Sequence, residues 1–434
     1  MRKDYYLYLS QDKKQFFQLP PGWVPTHFVE DEEGISLPSI EQMTLEAFSN
    51  PTGTDSLPNR LSRAKNIAII VDDGTRPTPV TEILETLLPY LVDHGSSRAN
   101  IAIIVALGTH EAMNRKDLEA RLGKGVVSNY KIVQHNAWQS DLIPVKIPGD
   151  GGVVRINPEV AQADFRLGIS SILPHPMAGY GGGPKILMPG LCNFEFIRDH
   201  HMKHVIDPGS MAGTTKGNPF HQGIFNVARA IGLDFSINCV YNQKGQVIRI
   251  IAGSLEKAFE DAVGVCFEKL EHKFEEKVDV TITSTFPHTH GHQLFKGLSA
   301  PDRITKDSGA ILLVAPIVAP IPAEFLNSFR VINEKSRGNS VAYVKDALSN
   351  GMAFLPDKSI DYNMAMSTVF LRPRIRTLLV SPVISADQAQ TMGLEYSSSI
   401  EEGLRSLEKS YPHAKVAIFP SGGLIVPIIA GGDH

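Results

Sequence analysis

The chain has 434 residues, 42% hydrophobic and 20% charged, which is enough apolar material for a sizeable core and unlike a disordered composition. Lysine and arginine total 42 against 46 aspartates and glutamates, a formal charge of -4, which excludes a strongly basic nucleic-acid binder and leaves room for a local basic site. At about 150 residues per domain, two to three domains are expected. The three cysteines, Cys192, Cys239 and Cys266, form no CxxC and read as reduced thiols rather than a disulfide framework or zinc ribbon. The opening MRKDYYLYLSQDKK lacks the apolar region of a secretory signal, and the longest apolar run, Gly309 to Ile321, is interrupted by Pro316 and Pro320. The expectation is a cytoplasmic protein with no membrane or nucleic-acid partner.

Residues 1–65 read as an irregular, proline-rich lead-in. An α/β rhythm then opens with Asn66–Val71, NIAIIV, repeated at Asn100–Val105. Unbroken β-branched runs of this length are how strands covered on both faces read. Between them Ile83, Leu84, Leu87, Leu88 and Leu91 fall at helical spacing over Thr81–His94, and Gly95 is placed to end the helix, giving a βαβ unit. Strands are expected at Tyr130–Gln134 and Phe165–Leu173, then a long helix at Glu256–Lys273. A second rhythm follows: strands Val278–Ser284 and Ala310–Val318, a helix around Arg337–Asn350, strand Thr377–Val383, helix Ile400–Tyr411 and strand Lys415–Phe419. The predicted fold is α/β: two mostly parallel, Rossmann-like domains, 1–277 and 278–434, with the active site in the cleft between them.

Ligands of open α/β sheets sit beyond the carboxyl ends of the strands, which singles out three loops. In Asp72–Pro79, DDGTRPTP, Asp73 and Thr75 suit a helix N-cap and Pro77 or Pro79 a first helical turn. Capping leaves Arg76 unexplained, and its guanidinium is a fork for carboxylate or phosphate. In Ala106–Met113, ALGTHEAM, His110 stands at the equivalent end of the neighbouring strand, as a general base, a metal ligand or a hydrogen-bonded loop residue. The third loop, His175–Gly190, reads HPMAGYGGGPKILMPG. Its Gly179, Gly181, Gly182 and Gly183 permit close backbone approach to a ligand. Lys185 is followed by Ile186, so this is no Walker A loop, and Pro184 breaks a dinucleotide fingerprint. A lysine so bracketed binds phosphate or serves as a covalent anchor.

In Arg198–His204, RDHHMKH, the i, i+4 pair His200 and His204 with His201 between them reads as a metal ligand set or as a solvated polar helix start. In the second domain His288, His290 and His292 alternate as on one side of an extended segment. Gln293 and Lys296, neighbours on a helix turn, are placed to supply anion contacts from the opposite wall of the cleft.

DDGTRPTP, ALGTH, HPMAGYGGGPKILMPG with the following His200–His201 pair, and HQLFKG stand in the order found in nickel-dependent lactate racemase and its homologues. The sequence resembles that family through most of its length, most strongly from Asp72 to His201. The resemblance implies racemisation or epimerisation of a small-molecule 2-hydroxy acid at C2 by reversible hydride transfer, and cofactor-biosynthesis proteins as partners. The implied cofactor is a nickel pincer nucleotide, a pyridinium-3-thioamide-5-thiocarboxylic acid mononucleotide carrying Ni, tethered to Lys185 with His201 as nickel ligand. His110 and His175 become the acid/base pair, with Arg76 and Lys296 as clamps on the substrate carboxylate or a cofactor anion. Asp73, Thr75, Gly181, Gly182, Gly183 and Gln293 become cofactor-lining residues.

Two departures bear on the substrate. Gly181 stands where the family commonly has serine. The only tryptophans are Trp23 and Trp138, so the second-domain tryptophan that closes the pocket in lactate racemase has no counterpart. The substrate wall is therefore expected to differ, with His288, His290 and His292 suiting an acidic or polyhydroxy side chain. A zinc-dependent hydrolase or lyase using the same histidines is one alternative, but it leaves Lys185 without a task. A non-catalytic two-domain carboxylate binder is the other, and it has no need of so many histidines.

Overall fold

The computed structural model describes residues 3–30, 36–61, 64–149, 152–356, 360–373 and 375–430, so the expected domain termini at 1 and 434 lie outside it. Two six-stranded sheets organise the chain. The first runs Val247–Gly253, Phe235–Tyr241, Phe165–Ser171, Ile67–Val71, Ile101–Val105, Lys131–Gln134, parallel throughout except for the antiparallel edge Val247–Gly253. Its central strand Ile67–Val71 is buried at every position, and helix Val80–Asp93 packs Ile83, Leu84, Leu87, Leu88 and Leu91 into the same core. The second runs Glu395–Tyr396, Arg376–Val380, Thr305–Val314, Val278–Ser284, Ala414–Phe419, Trp23–Phe28, all parallel. The two parallel α/β assemblies match the expected architecture.

The lead-in is more ordered than its prolines suggest. Tyr5–Ser10 and Lys13–Phe17 form a hairpin, and helix Ile40–Ser49 opens with a capping box between Ser39 and Gln42. Strand Trp23–Phe28 carries Pro25, tolerated because it is an edge strand, and pairs with Ala414–Phe419 in the second sheet. The segment expected as one helix to Lys273 ends at Leu270, where Glu271–Phe274 turns into a strand beside Val426–Ile429. Strand Thr305–Val314 begins earlier than expected, and helices Ala323–Lys335 and Ile360–Leu371 were not anticipated at all. No helix among the described residues is long and apolar enough to cross a membrane.

Each sheet has a point where consecutive strands depart in opposite directions. In the first, Ile101–Val105 adds to one side of Ile67–Val71 and Phe165–Ser171 to the other. In the second, Thr305–Val314 and Ala414–Phe419 flank Val278–Ser284 in the same way. Loops leaving the carboxyl ends at such points cannot cover the crevice between them, which is where ligands of these sheets bind.

Candidate active site

Loops from both crevices line a single cavity of about 170 Å³. Of the residues singled out from the sequence, Asp73, Thr75, Arg76, His110, His175, Gly181, Gly182, Lys185, His201, Gln293 and Lys296 all line it, as does His288. Gly183 does not, and neither do His200 and His204.

The loop after Ile67–Val71 holds its shape through its own side chains. Asp73 Oδ1 accepts from the Thr75 amide at 2.8 Å and the Thr75 hydroxyl at 2.5 Å, closing an Asx-type turn. Neither residue caps the next helix, whose N-cap is Pro79 with no side-chain hydrogen bond, so the capping role expected of them is corrected. Arg121, from helix Arg115–Leu122, binds the loop from behind. It donates to the carbonyls of Asp72, Arg76 and Thr78 at 3.1, 3.1 and 2.7 Å and pairs with the Asp72 carboxylate.

Asp73 Oδ2 accepts from Nδ1 of His110, while Nε2 of His110 meets Asp361 Oδ2 at 2.9 Å. Burial opposes protonation of this imidazole, but the carboxylates of Asp361 and Asp73 outweigh it and hold the pKa up to about 10. His110 is thus a cation between two anions. His175 differs. Its Nδ1 accepts from the Met177 and Ala178 amides at 3.3 and 3.2 Å, so the neutral ring carries its proton on Nε2. Burial and the nearby charges of Lys185, Lys296 and Arg76 push its pKa well down.

The glycines of the third loop do not share one purpose. A Cβ at Gly179 would lie 2.2 Å from the Thr214 carbonyl oxygen, one at Gly182 2.3 Å from the Ser171 carbonyl oxygen, and one at Gly183 2.3 Å from the Phe259 ring. Those three are demanded by the protein's own packing, and all have positive φ. Gly181 alone faces space, with only the Leu173 carbonyl oxygen within reach at 3.7 Å.

Lys185 follows on a short 3₁₀ turn, Gly183–Ile186. Burial, and then the charge of Arg76, lower its amine to about 7. Lys296 is likewise driven well below its ordinary value by burial and Arg76. The ring of Phe220, fully buried, organises this corner: Lys185 Nζ lies 5.6 Å from its centroid, and the His200 and His201 rings meet it edge-on at 4.8 Å. His201, on helix Phe194–His204, donates from Nδ1 to the Ile197 carbonyl at 2.8 Å, which leaves a lone pair on Nε2. Burial and Lys185 keep it neutral, with a pKa near 3. His200 turns its Nε2 to the Phe220 carbonyl at 3.1 Å, and His204 pairs with Asp207 at 2.8 Å.

The segment expected to be extended at His288–His292 is instead a turn into the 3₁₀ helix Gly291–Leu298. The alternation is therefore not kept: His288 and His292 reach the cavity and exposed His290 does not. On this helix Gln293 and Lys296 are eclipsed at i, i+3, which brings both to the cavity. Asp361, Arg121 and Phe220 were not expected from the sequence; none lies in a motif or past a strand end.

Residues 11–213 match the family described as the lactate racemase N-terminal domain. The lactate racemase of Thermoanaerobacterium thermosaccharolyticum is 30% identical over 283 residues, covering 64% of this chain and 66% of that protein. The lactate racemase of Lactiplantibacillus plantarum is 28% identical over 403 residues, covering 89% and 91%. Among solved structures, the lactate racemase apoprotein of Thermoanaerobacterium thermosaccharolyticum superposes with a TM-score of 0.82 at 23% identity, covering 98% of this chain and all of that one. A Thermotoga maritima protein follows at a TM-score of 0.66 and 16% identity, covering 91% and 99%. With the motifs gathered in one cavity and the likeness running along most of the chain, the protein belongs to the lactate racemase family and is, by that membership, an isomerase.

Proposed function

We propose that the protein inverts C2 of a small 2-hydroxy acid, with His110 and His175 handling the hydroxyl proton. A nickel pincer nucleotide tethered to Lys185 supplies the hydride acceptor when bound. The chain suits that group on three counts. The Lys185 amine, at about 7, is substantially neutral and nucleophilic near neutral pH. His201 offers an oriented Nε2 lone pair beside it. Gly181 leaves its stretch of the cradle open.

Removing a proton from C2 would place a second negative charge beside the substrate carboxylate, which hydride transfer avoids. What remains for the chain is to bind the acid, orient it and manage one proton. Arg76 places its guanidinium in the cavity, where it favours a carboxylate or a cofactor phosphate, and an anion bound there would help Lys296 hold the proton that burial and Arg76 now disfavour. His110, an imidazolium at rest, can give its Nε2 proton to the substrate oxygen, and it can take the hydroxyl proton only after its own Nε2 proton has left with the Asp361 carboxylate; Asp73 at Nδ1 stabilises the cationic form in either direction. His175 lines the same cavity with its proton on Nε2, and we assign it the hydroxyl of the other enantiomer. It becomes a base only if its ring leaves the amides of Met177 and Ala178.

The observation that carries the reading is the meeting of two imidazoles, a low-pKa lysine and an oriented third imidazole in one cavity. The zinc reading is not adopted: among the described residues no three His, Cys, Asp or Glu side chains converge as a metal site. The cytoplasmic setting belongs to the same proposal, in keeping with three buried, unbridged cysteines. So does the division near Lys277, with Trp23–Phe28 assigned to the second domain.

The test is coexpression with the cofactor-making proteins, intact-mass analysis, and a chiral assay on a 2-hydroxy acid panel. An adduct on Lys185 with C2 inversion, both lost in Lys185→Ala, is the expected result. Inversion that survives Lys185→Ala would overturn the reading.

A further inference from the structure

The substrate hydroxyl must come within hydrogen-bond reach of His110 Nε2, about 2.6–3.2 Å. That position is taken. Asp361 Oδ2 stands 2.9 Å from Nε2, carried by helix Ile360–Leu371, which contributes Met364 and Thr368 to the same cavity wall. A bound 2-hydroxy acid therefore displaces one carboxylate oxygen from the imidazole. Because the helix itself lines the cavity, the displaced carboxylate remains beside the substrate.

Two further polar atoms lie close by with nothing to bind. Among the described residues His292 Nε2 and Gln293 Oε1 are buried without a hydrogen-bond partner, and both side chains line the cavity. Buried polar atoms left unpaired are costly, and those of a functional site are commonly satisfied by the ligand. This wall thus offers a carboxylate and an amide oxygen as acceptors and an imidazole nitrogen that donates or accepts. A methyl group would leave all three unsatisfied. A second substrate carboxylate would meet Asp361 as a like charge in a buried site.

We infer that Asp361 is a specificity-determining residue that selects 2-hydroxy acids bearing hydroxyl groups on C3 and beyond, and rejects dicarboxylates. Hydroxyls at those carbons donate to Asp361 and Gln293 while His292 serves their oxygens. The inference narrows the acidic or polyhydroxy expectation to the second class, and it rests on the racemase reading above.

The experiment uses the cofactor-loaded enzyme and three probes: glycerate, lactate and malate. Wild type is expected to show the highest kcat/KM on glycerate, with malate lowest, the steps being about tenfold, the scale of one hydrogen bond to a charged group. Asp361→Ala and Asp361→Asn are expected to lower the glycerate-to-lactate ratio by about tenfold and to raise malate relative to lactate. The wild-type order tests the inference without any variant, and equilibrium binding of the three acids measured by calorimetry must follow the same order. Malate or lactate preferred by wild type, or ratios unchanged in both variants, would overturn the role of Asp361 while leaving the racemase reading intact. No turnover of any 2-hydroxy acid by loaded enzyme would overturn both.

Discussion

The Lys185 amine lies 5.6 Å from the centroid of the Phe220 ring, in a pocket whose burial lowers its pKa to about 7. Cation–π attraction at that distance is modest and cannot replace a full hydration shell. The amine therefore spends much of its time neutral near neutral pH, and is expected to react early with small amine reagents. In a pH series on the unloaded protein followed by peptide mass mapping, Lys185 should label with a midpoint near 7, while exposed lysines require pH above about 10. Arg76→Ala removes a nearby positive charge and should move that midpoint upward. A midpoint near 10 in wild type would contradict the assignment.

Asp73 governs His110. Its loss in Asp73→Asn should lower the imidazole pKa from about 10, since one of two raising carboxylates is gone. Because the folded pKa of His110 lies above the unfolded value of about 6.5, its contribution to stability fades as pH rises from 6.5 through 10, while the Asp73 carboxylate, held well below its ordinary range by His110, loses its own as pH falls below about 4. A histidine NMR titration reads the shift. Turnover of loaded enzyme should fall by about 10²–10⁴, the scale of a positioned acid/base group.

Arg121 should behave as a positioning residue. Replacing it leaves the largely buried Asp72 carboxylate with only the Thr78 hydroxyl as donor, and takes a donor from three loop carbonyls. Arg121→Ala should cost about 3–5 kcal/mol in thermal or denaturant unfolding, the range for breaking a buried pair. Arg121→Lys should recover little of this, because an ammonium cannot reproduce the guanidinium fork.

The glycine loop gives a paired prediction. Gly181→Ser should fold with unchanged thermal stability, since a Cβ there meets only the Leu173 carbonyl oxygen at 3.7 Å. Gly182→Ala forces a side chain onto φ +71 with its Cβ 2.3 Å from the Ser171 carbonyl oxygen, and should lose at least about 1–3 kcal/mol of stability. Equal melting temperatures for the two variants would contradict the distinction.

Acid should weaken the fold before it touches the carboxylates. His135, buried, and His272, half-buried, are held neutral, each with a pKa lowered to about 4 by loss of solvent. Between about 4 and 6.5 the unfolded chain binds protons that these rings do not, so stability falls as pH drops through that window. Melting temperature against pH should show the decline, and His135→Gln should flatten part of it.

Much of the first-sheet wall was legible because Asp73, Arg76, His110, His175 and Lys185 sit in loops directly after unbroken apolar strands, and such runs announce where their ends lie. Asp361 left no comparable trace. It opens an ordinary helix, and its meaning appears only when a distant crevice brings it to His110. Arg121, in the sequence RKDLEARL, reads as one more surface charge until its helix packs behind the loop at Asp72. Trp23–Phe28 was hidden by Pro25, which argues against a strand everywhere except at an edge.

That edge strand has a bearing on how the molecule is made. The Trp23 indole donates to the Tyr411 carbonyl at 2.7 Å across a sequence separation of 388 residues. A strand emerging early from the ribosome must wait until synthesis has passed Phe419 before its neighbour exists, and such remote pairing slows folding. In the interval Trp23, buried in the folded protein, is available to other chains, so chaperone dependence of soluble yield is expected to centre on this stretch.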